Sequence, residues 1–557
     1  MKKLLLGAIV SFVAVFPAFA QNQNGNDTSA RVDKVFAQFD KATSPGCALA
    51  VIKDGQIIYK RGYGMADLDH DIPIKPDTVF HVASVSKQFT AMAILLLAKQ
   101  GKLSLDDEVR KYIPELRDFG HKLTIRHLLH HTGGLRDQWN LLIMSGWRLS
   151  EDVVKDEDIL DLISKMKELN FKPGDQHQYS NTGYTLAAWI VKKVSGQSLR
   201  EFCEANIFKP LAMTSTFFRD DHTVTVKRQA YGYRAAANDT FKLSVPNYDT
   251  VGASSLLTTV EDLAKWEQNF YDKQVGGEAV IEQMQTPGVL NDGEKINYAF
   301  GLTVGQYKGL KVVEHSGGDA GYRSHLMRFP EQRLSVACLC NLGTNPGQFA
   351  RQAADVYLTN LPVSDPAKTN QISGNILSDA ELNRKVGVYW NPWTEDFGRV
   401  TAENGRLRFS FPGGNLVLMP HTANYFRLLE PAGEVEFETS SEGNSRRLLL
   451  KFPLRKPIAF DAMPPADTTL AQLAQFVGNY YSDEIDSTYK IALKDDKLVL
   501  TRKKADPTTL QPLFRDAFST FSILGTVRFT RDAQQRVNGL TLHAGRIRSF
   551  KFVKRAE

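Results

Sequence analysis

The last third of the chain contains a sequence repeat, and this repeat limits how the whole protein can fold. The segment VGVY at 386–389 recurs as VGNY at 477–480, 91 residues later. Matching positions follow each copy in the same order, within one residue of register: Leu407, Pro420 and Phe426, then Leu498, Pro512 and Phe518. Short alternating apolar runs, typical of β-strands, fill both copies. The pattern predicts two copies of one small antiparallel barrel or sandwich.

A change in composition near residue 361 separates this β-rich part from the rest of the chain. Segment 363–378 contains Pro, Ser and Asn without clear periodicity, so we interpret it as a linker. We expect one domain at 21–362 and two β-barrel-like domains at 379–460 and 468–557.

The first domain mixes helices and strands. Asp54-Gly55 between two apolar runs predicts a hairpin within 46–64, and helices are expected within 104–116, 123–131 and 184–195 and after Leu257. Further strands are expected at Phe300–Val304, Lys311–His315, Ser324–Phe329 and Leu334–Cys340. Because strands lie near both ends and helices in the middle, we predict an α+β fold in which helices flank one antiparallel sheet.

Residues 1–20 have the pattern of a secretory signal peptide. Lys2 and Lys3 precede the apolar run Leu4–Phe16, and Ala18-Phe19-Ala20 fits a cleavage site. The apolar run is too short for a typical membrane span, although an uncleaved anchor is the alternative. We therefore expect an exported protein, periplasmic or secreted, with no integral membrane span after processing.

The charge and the cysteines of the chain limit the functions that the protein can be expected to have. The chain has 68 Lys+Arg and 62 Asp+Glu, a formal charge of +6 without a basic block, so we expect no nucleic-acid binding. The four cysteines are Cys47, Cys203, Cys338 and Cys340. Export would permit disulfides, but we interpret all four as small, buried, free apolar residues, with Cys338 and Cys340 on one face of a strand.

Ser84-Val85-Ser86-Lys87 precedes an apolar helical stretch. If Ser84 lies at the start of this helix, Lys87, three residues later, lies on the same helix face. The helix N-terminus offers free N–H groups to a developing oxyanion. This arrangement suits an acyl-transfer nucleophile with an amine base. The same spacing occurs at Ser164–Lys167 and Ser487–Lys490, and Ser84 as a plain N-cap is the structural alternative.

Two further short motifs follow in the first domain. Tyr179-Ser180-Asn181 precedes a predicted helix, and His315-Ser316-Gly317 ends a predicted strand. Each pattern is common alone, and Tyr179 or His315 alone would be an ordinary structural residue. Their order and separation after the Ser84 motif make a catalytic constellation the better interpretation.

With these three motifs, residues 30–360 resemble the serine β-lactamase and penicillin-recognising family. They are most similar to the class C-like branch, which holds DD-carboxypeptidases, D-aminopeptidases, D-amino-acid amidases, β-lactamases and esterases. The segment HLLHHTGGL at 127–135 supports the resemblance. Three positions depart from commoner patterns: His315 replaces the lysine of class C β-lactamases, Gly133 replaces Ser, and Ser254-Ser255 replaces Gly-Gly. The resemblance implies an all-helical subdomain beside the antiparallel sheet, and the C-terminal part resembles the paired barrels of D-aminopeptidases.

The catalytic residues implied are Ser84, Lys87 and Tyr179. Ser84 Oγ would attack a carbonyl and form an acyl-enzyme. Lys87 can take the serine proton only if its ordinary pKa is lowered by burial and a neighbouring charge. Tyr179 is a second candidate base or the relay that protonates the leaving group, and the sequence leaves this choice open.

The expected substrate-binding residues are Asn181, His315 and Ser316. Asn181 would hold the substrate amide and the lysine head group, while His315 could donate to Tyr179 or to a substrate carboxylate. The backbone N–H groups of Ser84 and Gly318 would form the oxyanion hole.

These expectations point to an exported serine hydrolase acting on small peptides, amides or esters, including those that contain a D-amino-acid residue. A β-lactamase and a catalytically weak binding protein of the same fold are the alternatives. We expect a small-molecule or peptide substrate and no metal or organic cofactor, and the oligomeric state stays open. The helical spacing of His127, His130 and His131 could suit a metal, but a structural helix end is the favoured interpretation.

Overall fold

The structure is a computed structural model of the protein. It describes residues 23–358, 377–411, 414–428, 433–441, 444–452, 456–520, 522 and 524–556. The predicted signal peptide and all but the last two residues of the predicted linker lie outside the described residues. Among the described helices, none has both the length and the apolar character needed to cross a bilayer.

The first part of the chain contains ten α-helices within the described residues. They are α1 Gln23–Phe36, α2 Lys87–Lys99, α3 Ile125–Leu129, α4 Gln138–Ser145, α5 Asp156–Lys165, α6 Asn181–Ser195, α7 Leu199–Cys203, α8 Val260–Asp272, α9 Gly277–Met284 and α10 Pro346–Tyr357. Short 3-10 turns lie at Ala37–Phe39, Ala83–Ser86 and Val109–Lys111, and a π-helical turn lies at Glu204–Phe208.

The strands of this part are mostly short, apart from those of the main sheet. They are β1 Cys47–Lys53, β2 Gln56–Tyr63, β3 Met65–Asp67, β4 Ile72–Pro73, β5 Phe80–His81, β6 Phe217–Phe218, β7 Tyr233–Ala235, β8 Phe241–Leu243, β9 Leu256–Thr258, β10 Thr303–Tyr307, β11 Leu310–Asp319, β12 Tyr322–Phe329 and β13 Leu334–Cys340. The main sheet has the order β10-β11-β12-β13-β1-β2, with every neighbouring pair antiparallel.

Helices cover both faces of the main sheet. Along β1, Cys47, Leu49 and Val51 pack in the core shared with α1 and α10. Ala48 and Ala50 lie in the core on the opposite face, which α8 covers. Burial on both faces explains why this strand reads as an unbroken apolar run rather than an alternating one. The predicted α+β fold is confirmed.

The secondary structure follows the predictions with two differences. The hairpin and the strand Leu334–Cys340 have the expected place, whereas the strand expected at Phe300–Val304 begins at Thr303. The helix expected within 104–116 is only the 3-10 turn Val109–Lys111. Pro114 cannot continue a helix, and the Val109 N–H is already bonded to the Leu123 carbonyl.

The interpretation of all four cysteines as free is wrong for two of them. Cys47 and Cys340 form a disulfide, while Cys203 and Cys338 are free and buried. The two bonded residues face each other directly in the β1–β13 pair, with their Cα atoms 4.0 Å apart. Their sequence separation is 293 residues, so no local spacing reveals the pairing.

The repeat forms two barrel-shaped sheets, each after a short helix: α11 Asp379–Asn383 and α12 Leu470–Ala474. The first is a closed barrel of β14 Gly387–Trp390, β15 Phe397–Glu403, β16 Arg406–Phe411, β17 Gly414–Pro420, β18 Tyr425–Leu428, β19 Glu434–Thr439, β20 Ser445–Lys451 and β21 Ile458–Met463. The second is a nine-stranded sheet of β22 Gly478–Ser482, β23 Ser487–Lys494, β24 Lys497–Thr501, β25 Thr508–Thr509, β26 Gln511–Phe514, β27 Ala517–Ser519, β28 Thr526–Arg531, β29 Val537–His543 and β30 Phe550–Arg555.

Repeated residues have repeated structural roles in the two sheets. The Tyr389 hydroxyl donates to the Lys385 carbonyl, and the Tyr480 hydroxyl donates to the Phe476 carbonyl, four residues back in each case. The matching positions Leu407, Leu498, Phe426 and Phe518 are all buried. The barrel-like architecture is confirmed, while the exact domain boundaries stay a prediction.

The nine-stranded sheet packs against the helical part of the first domain. Arg136, 1% exposed, donates to Glu484, 7% exposed, at 2.8 Å. The Tyr489 hydroxyl donates to the Met144 carbonyl at 2.9 Å. Because breaking a buried ion pair typically costs about 3–5 kcal/mol, this contact fixes the sheet beside the helices.

The Cys47–Cys340 disulfide should be detectable by thiol counting and should stabilise the fold. Alkylation of the denatured, unreduced protein should modify two cysteines, and reduction should expose two more. Cys47→Ala should lower the free energy of unfolding by about 2–5 kcal/mol, because it opens a long covalent loop. Chemical denaturation measures this change, with Cys203→Ser, at a buried free thiol, as a control for loss of a cysteine alone. Four free thiols in the unreduced protein would contradict the pairing.

Candidate active site

Ser84 lies on a tight turn immediately before helix α2. The 3-10 turn Ala83–Ser86 leads into the helix at Lys87, so Ser84 caps neither element. Ala83 has a positive φ of 48°, an uncommon conformation for a residue with a side chain. In 78–95, all of which the structure describes, Ser84 alone is partly exposed. The turn therefore presents this hydroxyl at the edge of a buried segment.

Ser86 holds the turn in place. Its hydroxyl donates to the Ala83 carbonyl at 2.5 Å and accepts a hydrogen bond from the Leu256 N–H at 3.0 Å. The two serines of the motif thus differ: Ser86 is buried and fixed by backbone partners, whereas Ser84 is partly exposed.

The Lys87 amine is completely buried and has three oxygen neighbours. Its Nζ lies 3.1 Å from Ser84 Oγ, 2.9 Å from Asn181 Oδ1 and 2.6 Å from the Ala253 carbonyl. Its exposed fraction is 0%. The predicted pairing of Ser84, Lys87 and Asn181 is therefore present as a direct contact.

Burial lowers the pKa of the Lys87 amine well below its ordinary value of 10.5. The positive charge of Arg546 lowers this pKa further, whereas Asp137 and Asp319 act in the opposite direction. A neutral amine has two N–H groups and one lone pair. The two carbonyl-type oxygens can accept those N–H groups, which leaves the lone pair for the Ser84 hydroxyl.

Tyr179 lies over the same lysine. Lys87 Nζ is 4.8 Å from the centre of the Tyr179 ring. The tyrosine hydroxyl is buried and has no hydrogen-bond partner within 3.5 Å among the residues that the structure describes. Burial raises the Tyr179 pKa above its ordinary value, while the nearby Ser84 hydroxyl and the Arg546 charge oppose this shift. The phenol is therefore protonated at neutral pH and available to a substrate group.

Asp137 fixes the orientation of Asn181, a role that the sequence motifs do not reveal. Asp137 Oδ2 accepts hydrogen bonds from the Asn181 backbone N–H and side-chain Nδ2, each at 2.8 Å. The other oxygen, Oδ1, caps helix α4 through the Trp139 N–H. With Nδ2 committed to this carboxylate, the Asn181 oxygen points at Lys87.

His315 has different partners from those expected. Its Nδ1 donates to the Ser316 carbonyl at 2.7 Å, so its Nε2 accepts from the Tyr298 hydroxyl at 2.9 Å. Burial and the nearby Lys87 amine lower the His315 pKa to about 3. The imidazole is thus neutral, and the predicted donation to Tyr179 does not occur, because both ring nitrogens have other partners.

Strand β11 passes close to the serine turn at Gly317. A methyl group there would lie 2.3 Å from the Val82 carbonyl oxygen and 3.0 Å from the Ser84 nitrogen. Ser316 and Gly318, on alternate positions of the strand, are both exposed. Only glycine at 317 permits this approach, which brings the backbone of 317–318 beside the Ser84 N–H.

The other two Ser-x-x-Lys patterns do not form such a pair. Ser164 donates to the Asp161 carbonyl, and the Lys167 amine pairs with Asp483. Ser487 is buried and Lys490 is exposed on strand β23, where residues three apart point to opposite faces.

His127, His130 and His131 contact backbone groups of neighbouring segments near the site. His127 Nδ1 accepts the Thr124 N–H, and His131 Nδ1 accepts the Ser180 N–H. His130 Nδ1 is 3.2 Å from the Tyr298 carbonyl. The His131 ring also lies 4.1 Å from the Tyr179 ring, centre to centre. These contacts agree with the structural interpretation of the segment.

A residue from the far end of the chain completes the site. The Arg546 guanidinium lies 4.6 Å from the centre of the Tyr179 ring and 3.3 Å from Asp137 Oδ2. It belongs to the loop between β29 and β30 of the nine-stranded sheet. No sequence spacing connects Arg546 to the three motifs, so sequence reasoning missed it.

Comparison with known proteins decides the family. Residues 32–360 match the model of a family described as Beta-lactamase. The chain belongs to the beta-lactamase family. It is a serine hydrolase of the β-lactamase fold, and the family resemblance inferred from the three motifs is confirmed.

Similarities to individual proteins support the assignment to the beta-lactamase family. A penicillin-binding protein of Bacillus subtilis (strain 168) is 32% identical over 425 residues, covering 73% of this chain and 92% of that protein. A D-aminopeptidase of Gluconobacter oxydans (strain 621H) is 29% identical over 344 residues, covering 62% of this chain and 64% of that protein. The octameric penicillin-binding protein homologue from Pyrococcus abyssi has a TM-score of 0.54 at 25% identity, covering 78% and 99% of the respective chains.

The structure shows the surroundings of two residues at which this family member departs from the commoner patterns, Ser255 and Gly133. Ser255 has a φ of 77°, a conformation that favours glycine, and its hydroxyl donates to the Thr250 carbonyl at 2.7 Å. At Gly133, a Cβ would lie 2.7 Å from Leu123 Cδ1, so a serine here would require repacking of that leucine.

The contact at Gly317 gives a test of the site geometry. Gly317→Ala should reduce hydrolysis of p-nitrophenyl acetate by about 100-fold or more, because the methyl group would push β11 away from the Ser84 N–H. Steady-state kcat/KM measures the effect, and a thermal melt shows that the variant is folded.

Gly305→Ala in the same sheet is the matched control. Its added Cβ would meet nothing nearer than Val312 Cγ1 at 4.0 Å, so activity should stay at the wild-type level. A fully active Gly317→Ala enzyme would show that this close approach is unimportant.

Proposed function

We propose that this protein hydrolyses small peptides, amides or esters through an acyl-enzyme on Ser84. The observation that carries the proposal is the buried Lys87 amine, 3.1 Å from Ser84 Oγ and held by two other oxygens. A buried, neutral amine is a base strong enough to take the serine proton.

In the first half of the reaction, the Ser84 O–H donates its proton to Lys87 Nζ while Oγ attacks the substrate carbonyl. The carbonyl oxygen becomes an oxyanion, and the N–H groups of Ser84 and Gly318 stabilise it. Collapse of this intermediate breaks the bond to the leaving group and leaves an ester on Oγ. The leaving group takes up the proton from Lys87, directly or through the Tyr179 hydroxyl.

The second half returns the enzyme to its starting state. Water gives a proton to the same base, attacks the acyl carbonyl and forms a second oxyanion. Collapse releases the carboxylic acid, and Ser84 Oγ regains its proton. Asn181, oriented by Asp137, would bind the substrate amide on one side of the cleft. On the other side, the exposed Ser316 of strand β11 would bind it, and the neutral ring of His315, whose nitrogens have other partners, would line the same side.

The chemistry of the relatives supports a D-residue near the scissile bond. A relative covering 62% of this chain is named a D-aminopeptidase. The neutral His315 at the third motif differs from the cationic lysine of class C β-lactamases, which favours a peptidase, amidase or esterase over a dedicated β-lactamase.

We also propose that the enzyme works in an exported location, in the periplasm or outside the cell. The Cys47–Cys340 disulfide supports this, because such bonds persist mainly in oxidising compartments. The signal peptide expected at 1–20 is consistent with the same location.

Replacement of the proposed nucleophile tests this function. Ser84→Ala should lower the initial rate of p-nitrophenyl acetate hydrolysis by at least about 1,000-fold, because it removes the oxygen on which the acyl-enzyme forms. Purified wild type and variant are compared at equal concentration, with the uncatalysed rate subtracted.

Ser164→Ala is the matched control, since it removes the serine of a second Ser-x-x-Lys pattern whose lysine pairs elsewhere. It should retain the wild-type rate. A Ser84→Ala enzyme with wild-type activity would contradict the proposed mechanism.

A further inference from the structure

The loop between β29 and β30 brings a cationic side chain into the active site. Within this loop, Arg546 lies 4.6 Å above the ring of Tyr179, the same ring that Lys87 Nζ contacts at 4.8 Å. Arg546 and the Lys87 amine thus share one aromatic neighbour, and the Arg546 charge acts on the Lys87 pKa.

Several hydrogen bonds from the first domain hold this loop in position. Asn170 is bonded to it twice: its Nδ2 donates to the Arg546 carbonyl at 2.8 Å, and its Oδ1 accepts the Arg548 N–H at 3.0 Å. Asn140 Nδ2 donates to the Ala544 carbonyl at 2.9 Å. Ile547 is fully buried. The backbone that bears Arg546 is thus fixed before any substrate arrives, which lowers the entropic cost of binding.

The Arg546 side chain keeps most of its hydrogen-bonding capacity. A guanidinium has five N–H donors. Within the described ranges, the one hydrogen bond found for this side chain is from Nη1 to Asp137 Oδ2. The side chain is 43% exposed, whereas Asp137 is 0% exposed and already accepts bonds from Asn181. A ligand in the cleft can reach the guanidinium and cannot reach its carboxylate partner.

Arg136 shows what a purely structural arginine looks like in this protein. It lies on the same interface, is 1% exposed and is paired with the buried Glu484. Arg546 differs because its planar donor group is partly exposed, with 43% of the side chain accessible. Planar donors of this kind bind carboxylates through two parallel hydrogen bonds.

We propose that Arg546 is a specificity-determining residue that binds a carboxylate of the substrate, next to the acyl group that Ser84 attacks. This inference rests on the proposed acyl-serine function and narrows its substrate class. The preferred substrates carry a carboxylate close to the scissile carbonyl, as in an acidic amino-acid residue. The nine-stranded sheet thus supplies part of the substrate pocket.

Boronic acids test the inference without knowledge of the natural substrate. Their boron accepts a lone pair from Ser84 Oγ and forms a B–O bond, while the serine proton passes to Lys87. Isothermal titration calorimetry would give Kd for phenylboronic acid, its 3-carboxy and 4-carboxy derivatives and the cationic 3-aminomethyl derivative. At least one carboxy derivative should bind the full-length wild type about tenfold more tightly than phenylboronic acid.

Variants at Arg546 test whether its guanidinium causes the tighter binding of carboxylated boronic acids. Arg546→Gln should abolish the tenfold ratio, and Arg546→Lys should recover part of it because the charge remains without the planar fork. Arg536→Gln is the matched control: Arg536 precedes β29, at the opposite end of that strand, and its side chain is 76% exposed. This control should keep the full ratio.

Three results would overturn the inference: equal binding of neutral and carboxylated boronic acids by wild type, tighter binding of the cationic compound, or an unchanged ratio in Arg546→Gln. An equal loss of affinity for all compounds in Arg546→Gln would indicate a structural role only. If no boronic acid binds wild type, the acyl-serine function itself is contradicted.

Discussion

The burial of the Lys87 amine is the constraint on which the rest of the site depends. An ammonium group removed from water is costly, so the amine stays neutral only if its few hydrogen-bonding atoms find suitable partners. Helix α6 supplies the Asn181 oxygen, the segment before β9 supplies the Ala253 carbonyl, and the turn before α2 supplies Ser84. These three elements must meet at one point, and the fold of the first domain brings them there.

A second layer of residues holds these partners in position. Asp137 orients Asn181, and Ser86 fixes the turn of Ser84. The Ser316 carbonyl fixes the His315 tautomer in which Nε2 accepts the Tyr298 hydroxyl proton. The nine-stranded sheet adds the Arg546 guanidinium, whose charge favours the neutral form of the lysine. The C-terminal part therefore contributes directly to the electrostatics of the site.

Much of this could be predicted from the sequence because it depends on local patterns. The three motifs each occupy a few consecutive residues, and strand alternation and the VGVY/VGNY repeat are also local. The Cys47–Cys340 pair, Asp137 and Arg546 could not be predicted in this way. Each depends on a contact between segments far apart in the chain. Strand register sets the disulfide, the packing of the α4 start against the α6 start sets the Asp137 contact, and docking of the last sheet sets the position of Arg546.

The most direct measurement of the central claim is the pH dependence of Ser84 modification by a fluorophosphonate, followed by mass spectrometry of the labelled peptide. The account predicts a rate that rises with pH through a pKa well below 10.5, the ordinary value for lysine, because burial keeps the Lys87 amine neutral. It also predicts that Lys87→Met is scarcely labelled. A labelling rate that rises through a pKa at the ordinary lysine value would contradict a neutral lysine base. Labelling of Lys87→Met at the wild-type rate would also contradict it.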